Sequence, residues 1–428
     1  MNREIQPAWA RVIYATAGAA ASAWTVASGF AGDHETKLRA RERMGRWWPT
    51  ANSAPSSGSW IWIHAASVGE VTLANRVGRE LAALGGDFRL LLSCNTATGK
   101  AVASHEVFEE VHYFPIDWKP VLNRILGLTR PRLLLVVETE IWPTLLAEAQ
   151  LAGVPVAFAN ARISDRSWPR YQRLVDLIGP LLGSVAAVSA RDAASASRLR
   201  RLGAPQSAVH VNGDIKFDAI SIGDVTATTP AIATETPTVL AASTHDGEES
   251  VALDAFAIER KARPELRLVL APRHPQRATA VVDEVARRGW NVATWTLTAG
   301  KGDWDVLVVD TIGELLRFFR AVDAVFLGGS LVPVGGHNLL EPAAYGHAPI
   351  CGPHLDGIAD QVAVLEAADA LVVVGNAREL ATAWHLALDE PVRAQAAGKR
   401  AQDALASHAG ALVRTINCIA PLLTEDSA

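Results

Sequence analysis

The chain has 428 residues, 49% hydrophobic and 20% charged, with a formal net charge of −5. That length exceeds the roughly 250–300 residues at which a single core stops growing, so two or three domains are expected, and the lack of a basic excess speaks against a nucleic-acid partner. Dispersed glycine and proline exclude a collagen-like or low-complexity chain, and Cys94, Cys351 and Cys418, far apart and without a CxxC pair, read as reduced thiols rather than zinc ligands.

From Val12 to Gly32 no residue is charged. The run is long enough to cross a bilayer as a helix, but its alanine, glycine and serine content makes it only weakly apolar. Lys37, Arg39, Arg41, Arg43 and Arg46 follow, then Trp47 and Trp48, a pattern suited to the cytoplasmic side of a membrane surface. The competing readings are a helix buried against the globular body and, given an Ala-x-Ala stretch within the run, a signal-peptide mimic. Uncharged runs in core helices are typically about 10–14 residues, which favours membrane contact. Residues 1–46 are assigned as a membrane-associated helix with a basic segment.

From Trp60 short apolar runs alternate with helical spacing. Trp60–Ala66, Phe88–Cys94, His112–Pro115, Leu133–Glu138, Val154–Ala159 and Val185–Ser189 read as strands, with helices such as Val71–Ala83 and Ala193–Leu202 between them. Such alternation predicts a parallel sheet covered on both faces. The pattern fades over Asp218–Pro237, rich in Thr, Ala and Pro, the candidate linker. A second set follows: strands Thr238–Ala242, Leu266–Ala271, Val292–Trp295, Val306–Val309, Ala324–Leu327 and Leu371–Val374, then helices over Ala377–Leu388 and Val392–Ala420 with a break near His408. The domains are therefore 47–217, a 218–237 linker and 238–428, the last helices being candidates to pack back on the first domain. Ligands of open α/β sheets bind beyond the carboxyl ends of the strands, with a cleft expected between the two sheets.

The polar clusters do sit after strands. Ser67-Val68-Gly69-Glu70 follows the first: Gly69 permits a tight turn and close approach of another molecule, and Glu70 is either a proton acceptor for a hydroxyl nucleophile or an acid favoured by the helix dipole. Glu138-Thr139-Glu140, before Trp142-Pro143, places two carboxylates pointing the same way from a strand end; they form an acid/base or acceptor-orienting pair, or one of them caps the next helix. Lys216, in Gly213-Asp214-Ile215-Lys216, either reaches an anion or is a solvated surface lysine. In the second half, Ser243 or Thr244 is expected to cap a helix with Glu248 in its first turn, a start also suited to an anion. Arg273 and His274, at a strand's carboxyl end, suit a phosphate, the alternative being a surface salt bridge.

The richest cluster runs from Gly328 to Ala343. Two glycine pairs, Gly328-Gly329 and Gly335-Gly336, free the backbone to fold around a ligand, with Ser330, His337 and Asn338 beside them. Glu341 shares a helical face with Asn338 and is suited to accept hydrogen bonds from two ribose hydroxyls. A glycine-rich turn before a capped helix is the alternative.

The segments HAASVGEV, ETEIWP, NARISDRSWPRY, NGDIKFD, STHDGEE, APRHP and GGSLVPVGGHNLLEPA, spanning about Trp60 to Pro353, occur in the order seen in 3-deoxy-D-manno-octulosonate (Kdo) transferases, and the chain resembles that family. The resemblance implies a GT-B fold of two Rossmann-like domains with parallel sheets facing a central cleft. It implies transfer of Kdo from CMP-Kdo to a lipid A precursor of lipid IVA type, with inversion, at the inner membrane with the catalytic domains facing the cytoplasm. It implies Glu70 as general base, no metal or other cofactor, and no nucleic acid. Glu138 or Glu140 would orient the acceptor sugar. Lys216, Ser243, Thr244, Arg273, His274, Gly329, Ser330, Gly336, His337, Asn338 and Glu341 would bind the CMP part, with Lys216, Arg273, Ser330 and backbone N–H groups facing the leaving phosphate. Asp214 stands where the family often has Asn, adding a negative charge beside Lys216. The rivals are another GT-B nucleotide-sugar transferase or epimerase, which would need neither SVGE nor a membrane segment, and a non-enzymatic scaffold, which would need no base at position 70.

Overall fold

A computed structural model describes residues 34–46, 48–49, 59–219, 232 and 236–423, with Thr16, Ala20 and Thr25. The membrane-segment assignment over Val12–Gly32 and the linker assignment over 218–237 fall mainly outside those residues. Among the described residues no helix is long and apolar enough to cross a membrane. The chain forms two compact units, Met1–Asp218 with Ala409–Ala428, and Ala219–His408.

The first unit holds β1 (Ser59–His64), β2 (Phe88–Cys94), β3 (Glu110–Tyr113), β4 (Leu133–Val137), β5 (Val156–Ala161), β6 (Ala187–Ala190) and β7 (Val209–Val211). They form one sheet in the order β3-β2-β1-β4-β5-β6-β7, every pairing parallel. Side chains alternate across a strand, and here both faces are apolar. Trp60, Trp62, Leu134 and Val136 enter one core layer, while Ile61, Ile63, Leu133 and Leu135 enter the other. That is why the strands read as unbroken apolar runs.

The C-terminal helix Ala411–Ile419 belongs to this unit. Ala411, Ile416 and Ile419 join the second layer, Thr415 Oγ1 lies 2.7 Å from Ser189 Oγ, and the Asp218 carboxylate accepts from the N–H groups of Gly410 and Leu412.

The second unit holds β8 (Thr238–Thr244), β9 (Arg267–Pro272), β10 (Val292–Thr294), β11 (Val306–Val308), β12 (Ala324–Leu327), β13 (Ile350–Cys351) and β14 (Val372–Val373), in the order β10-β11-β9-β8-β12-β13-β14. Val239, Ala241, Leu268, Leu270 and Phe326 fill one face, with Phe256 and Trp384 from the covering helices.

In both sheets the strand order reverses beside the first strand: between β1 and β4, and between β8 and β12. Neighbouring crossovers leave there on opposite sides of the sheet, so the carboxyl ends open a crevice. The chemistry-bearing clusters after β1, β4, β8 and β12 lie at those two positions.

Candidate active site

In the first unit, Ser67 caps the helix Val68–Ala83. Its hydroxyl accepts from the Glu70 N–H at 3.4 Å and donates to Glu70 Oε1 at 2.8 Å, while Glu70 Oε2 accepts from the Ala66 N–H at 2.8 Å. This is a variant of the capping box in which the glutamate reaches the N–H of the residue before the cap as well as the cap's hydroxyl. The cap fixes the carboxylate and leaves further lone pairs open, so an acid placed in a first helical turn still has the capacity to accept a proton. Burial raises the Glu70 carboxyl above its ordinary range and Glu138 adds to the rise; bonds from Ala66 and Ser67, and the charge of Lys216, oppose it. Gly69 corrects one expectation. It is not in the left-handed region, so no tight turn requires it, but a Cβ there would meet nothing within 4 Å. Its contribution is open space beside Glu70.

Helix capping by Glu138 or Glu140 is not what the structure shows. The helix Pro143–Leu151 starts at Trp142 without a side-chain cap from that residue, and its Thr144 and Leu145 N–H groups are taken by the Asp117 carboxylate at 3.1 and 2.7 Å. Nor do the two glutamates share a strand face. Glu138 lies past β4 with φ 59°, in the left-handed region, a conformation costing about 1–3 kcal/mol and concentrated at functional sites. They still share one electrostatic cluster, since the charge of Glu138 raises both Glu70 and Glu140. Burial, then Glu70, raises the Glu140 carboxyl, and the Trp142 indole opposes the rise.

Trp142 is itself fixed. Its Nε1–H donates to His64 Nε2 at 3.2 Å. His64 is fully buried, which lowers its pKa to about 3 and keeps the ring neutral. Its Nδ1 then donates toward Ser93, 3.0 Å from Oγ and 3.2 Å from the carbonyl. Tyr171 belongs to the same cluster: its hydroxyl donates to the Thr139 carbonyl at 3.4 Å, and burial and Glu140 raise its pKa.

Lys216 donates to Glu138 Oε1 at 3.2 Å and is 41% exposed. It thus stands with the acidic cluster of the first unit, not as an isolated surface lysine. Its turn is anchored from beneath. Asp214 Oδ1 accepts from Asn160 Nδ2 and from the Lys216 N–H, both at 3.0 Å, and Asn160 Oδ1 accepts from the Ile215 N–H at 2.9 Å. Asp214 Oδ2 pairs with the buried Arg191 at 3.1 Å. The extra negative charge expected beside Lys216 is therefore neutralised in the interior.

In the second unit the helix Glu248–Glu259 starts at Gly247, in the left-handed region, with no side-chain cap. Neither Ser243 nor Thr244 caps it, contrary to expectation. Ser243 occupies a left-handed kink where the β8–β9 register slips. Thr244 is buried and donates to Glu249 Oε1 at 3.0 Å.

The glycine-rich loop also departs from expectation. Its first N–H groups do not await a phosphate; they enclose Glu248. Glu248 Oε2 accepts from Gly329 at 2.6 Å and His245 at 2.9 Å, and Oε1 accepts from Leu331 at 2.8 Å and Ser330 at 3.0 Å. Gly328 is obligatory here, because a Cβ would lie 2.7 Å from that carboxylate and 2.6 Å from the Thr244 backbone. The Ser330 hydroxyl is buried, donating to the Leu327 carbonyl at 2.6 Å and accepting from the Gly352 N–H at 2.7 Å. It has no phosphate-binding face. Gly336, left-handed, returns the loop by donating to the Gly329 carbonyl at 2.7 Å.

Arg273 and His274 remain accessible beyond β9. Among the described residues no hydrogen bond or ion pair engages the Arg273 guanidinium, whose charge is felt at His245, His337 and Glu341. Glu341 accepts from Asn338 Nδ2 at 3.0 Å, and burial raises its carboxyl. His245, not singled out by the sequence, lies with its Nε2 at 2.9 Å from His337 Nε2. Among the described residues no group of three or more His, Cys, Asp or Glu side chains is arranged to hold a metal ion.

A family model described as 3-deoxy-D-manno-octulosonic-acid transferase (kdotransferase) matches residues 38–219. Over 400 residues the chain is 31% identical to a 3-deoxy-D-manno-octulosonic acid transferase of Haemophilus influenzae, covering 91% of this chain and 92% of that protein. Over 380 residues it is 33% identical to the transferase of the same name from Bordetella pertussis, covering 84% and 86%. Among solved structures it resembles a glycosyltransferase from Rickettsia africae, with a TM-score of 0.54 and 11% identity over 86% of this chain and 100% of the other. That likeness shows the fold, two Rossmann-like units of GT-B type.

Proposed function

Because the chain belongs to the 3-deoxy-D-manno-octulosonic acid (Kdo) transferase family, we propose that it moves Kdo from CMP-Kdo onto a hydroxyl of a lipid A precursor of lipid IVA type, with inversion, at the cytoplasmic face of the inner membrane. The observation that carries this reading is Glu70, held by its cap at the switch point of the first sheet with its carboxyl raised by burial. An acid in that state is a better proton acceptor near neutral pH than an ordinary surface glutamate.

In the proposed reaction Glu70 takes the proton of the acceptor hydroxyl as its oxygen bonds to the anomeric carbon. The carbon–oxygen bond to the CMP phosphate breaks, and its electron pair stays on phosphate. Glu140 and the Lys216–Glu138 pair orient the acceptor sugar. Arg273 meets the departing phosphate, Glu341 with Asn338 receives the ribose hydroxyls, and no resident metal or cofactor takes part. The proposed membrane site rests on the basic segment around Lys37, Arg41 and Arg46, whose side chains are accessible or nearly so at Lys37, Arg41 and Arg46, and on the uncharged run before it.

Incubation with CMP-Kdo and a tetraacylated lipid A precursor should raise the mass of the lipid by whole Kdo units. A lipid of unchanged mass, from protein that binds CMP, would overturn the acceptor assignment. The donor half is tested separately by Arg273→Ala. Charge-assisted hydrogen bonds are worth about 1.5–3 kcal/mol, so calorimetry should show CMP binding weakened by about 10- to 150-fold. Unchanged affinity would remove Arg273 from the phosphate site.

A further inference from the structure

His245, at the end of β8, and His337, in the glycine-rich loop after β12, meet through their Nε2 atoms at 2.9 Å, with ring planes only 13° apart. Two ring nitrogens at that distance need one proton between them. If both carried Nε2–H the hydrogens would collide, and if neither did the lone pairs would face each other. The pair is therefore a single acid–base unit that exists either neutral or with one net positive charge. The backbone is built around it: a Cβ on Gly329 would lie 2.8 Å from His337 Nε2, so only glycine admits the ring.

The neighbours of the pair set its resting state. Burial comes first in lowering both imidazoles, His337 to about 4, and the cationic side of the site continues the effect: Arg273 and His274 on both rings, and Arg277 on His245. Glu248 is the one acid that opposes this, and its carboxylate is already taken up by four N–H groups. At neutral pH the unit is uncharged in the free protein. An anion placed against Arg273 would reverse that balance by adding negative charge a short distance away.

We propose that the His245–His337 pair takes up one proton from solvent when the donor's phosphate binds, and donates a hydrogen bond to the phosphate oxygen as the anomeric carbon–oxygen bond breaks. This rests on the assignment of the second unit as the CMP-binding half. The proton remains on the pair through the bond cleavage and returns to solvent with CMP release; the acceptor's own proton leaves through the first unit. The sign follows from linkage. Between the low pKa of the free pair and the higher one of the complex, the complex holds one more proton, so affinity rises as pH falls, approaching about tenfold per pH unit.

The test is calorimetry of CMP binding to the full-length protein at pH 7.5, in buffers of different ionisation enthalpy. The slope of observed enthalpy against buffer enthalpy counts protons. Uptake approaching about one proton per site is expected for CMP, and none for cytidine, which lacks the phosphate. His245→Asn and His337→Asn should each bind CMP more weakly and without proton uptake. Binding of CMP by the unaltered protein with no proton exchange would overturn the inference and leave the donor assignment standing. So would uptake that persists in both variants, or that is lost in His274→Asn instead. Failure of the unaltered protein to bind CMP would overturn the donor assignment, and the inference with it.

Discussion

Glu70→Gln is expected to lower the rate of Kdo transfer by about 10²- to 10⁴-fold, the usual worth of a general base, while leaving CMP affinity unchanged. Gln is the informative replacement because the local structure tolerates it. Glu70 Oε2 faces the Ala66 N–H, which a carboxamide oxygen still satisfies, and Oε1 faces the Ser67 hydroxyl, which can accept from a carboxamide NH₂ as readily as it donates to a carboxylate. The cap survives and the base is lost. Stability supplies a second readout. Burial raises the Glu70 carboxyl, so the folded state disfavours its charged form; that penalty is absent below the unfolded pKa and grows as pH rises toward the folded one. At neutral pH the Gln variant should unfold at the same or a higher urea concentration than the parent. A variant that retains turnover would remove Glu70 from the mechanism; one that unfolds early would reduce it to a capping residue.

The layout of the chain was legible because the physics that buries both sheet faces also writes unbroken apolar runs. Phe88–Cys94 and Ala324–Leu327 match the observed strands end to end, and most others shift by a residue or two. β7 and β13 escaped notice for reasons visible in the fold. Val211 is half exposed at a sheet edge and β13 spans only Ile350–Cys351, so neither leaves a run long enough to read. Candidate site residues were legible by type and by position after strands, but their partners were not. Asp117 caps Pro143–Leu151 from the connection after β3, 27 and 28 residues away in sequence from the N–H groups it accepts from, and Arg191 neutralises Asp214 from the end of β6. Neither pairing has a sequence spacing that announces it. The glycine loop shows the same limit in sharper form. Glycines after a strand declare a ring of N–H groups that wants an anion, and they do not declare whether that anion is a ligand or the protein's own glutamate.

Glu248→Gln is therefore expected to fail where Glu70→Gln succeeds structurally. Both Glu248 oxygens face only backbone N–H donors, two each. A carboxamide turned either way satisfies two of them and drives its NH₂ against the other pair. A buried donor left unsatisfied costs about 1–3 kcal/mol, so the variant should lose about 2–6 kcal/mol, seen as a lower urea midpoint. Glu248→Ala strands all four donors but leaves a space that water can enter, which brings its cost toward the same range. The loss should extend to the ligand. The carboxylate ties the start of the helix Glu248–Glu259 to the turn after β12, and His245 and Gly329 are two of its four donors, so the positions of His245, His337 and the loop up to Glu341 depend on it. CMP binding should weaken by at least about 100-fold, including at temperatures where circular dichroism shows the variant still folded. Wild-type affinity in a folded Glu248→Gln protein would mean that the loop holds its shape without the buried anion.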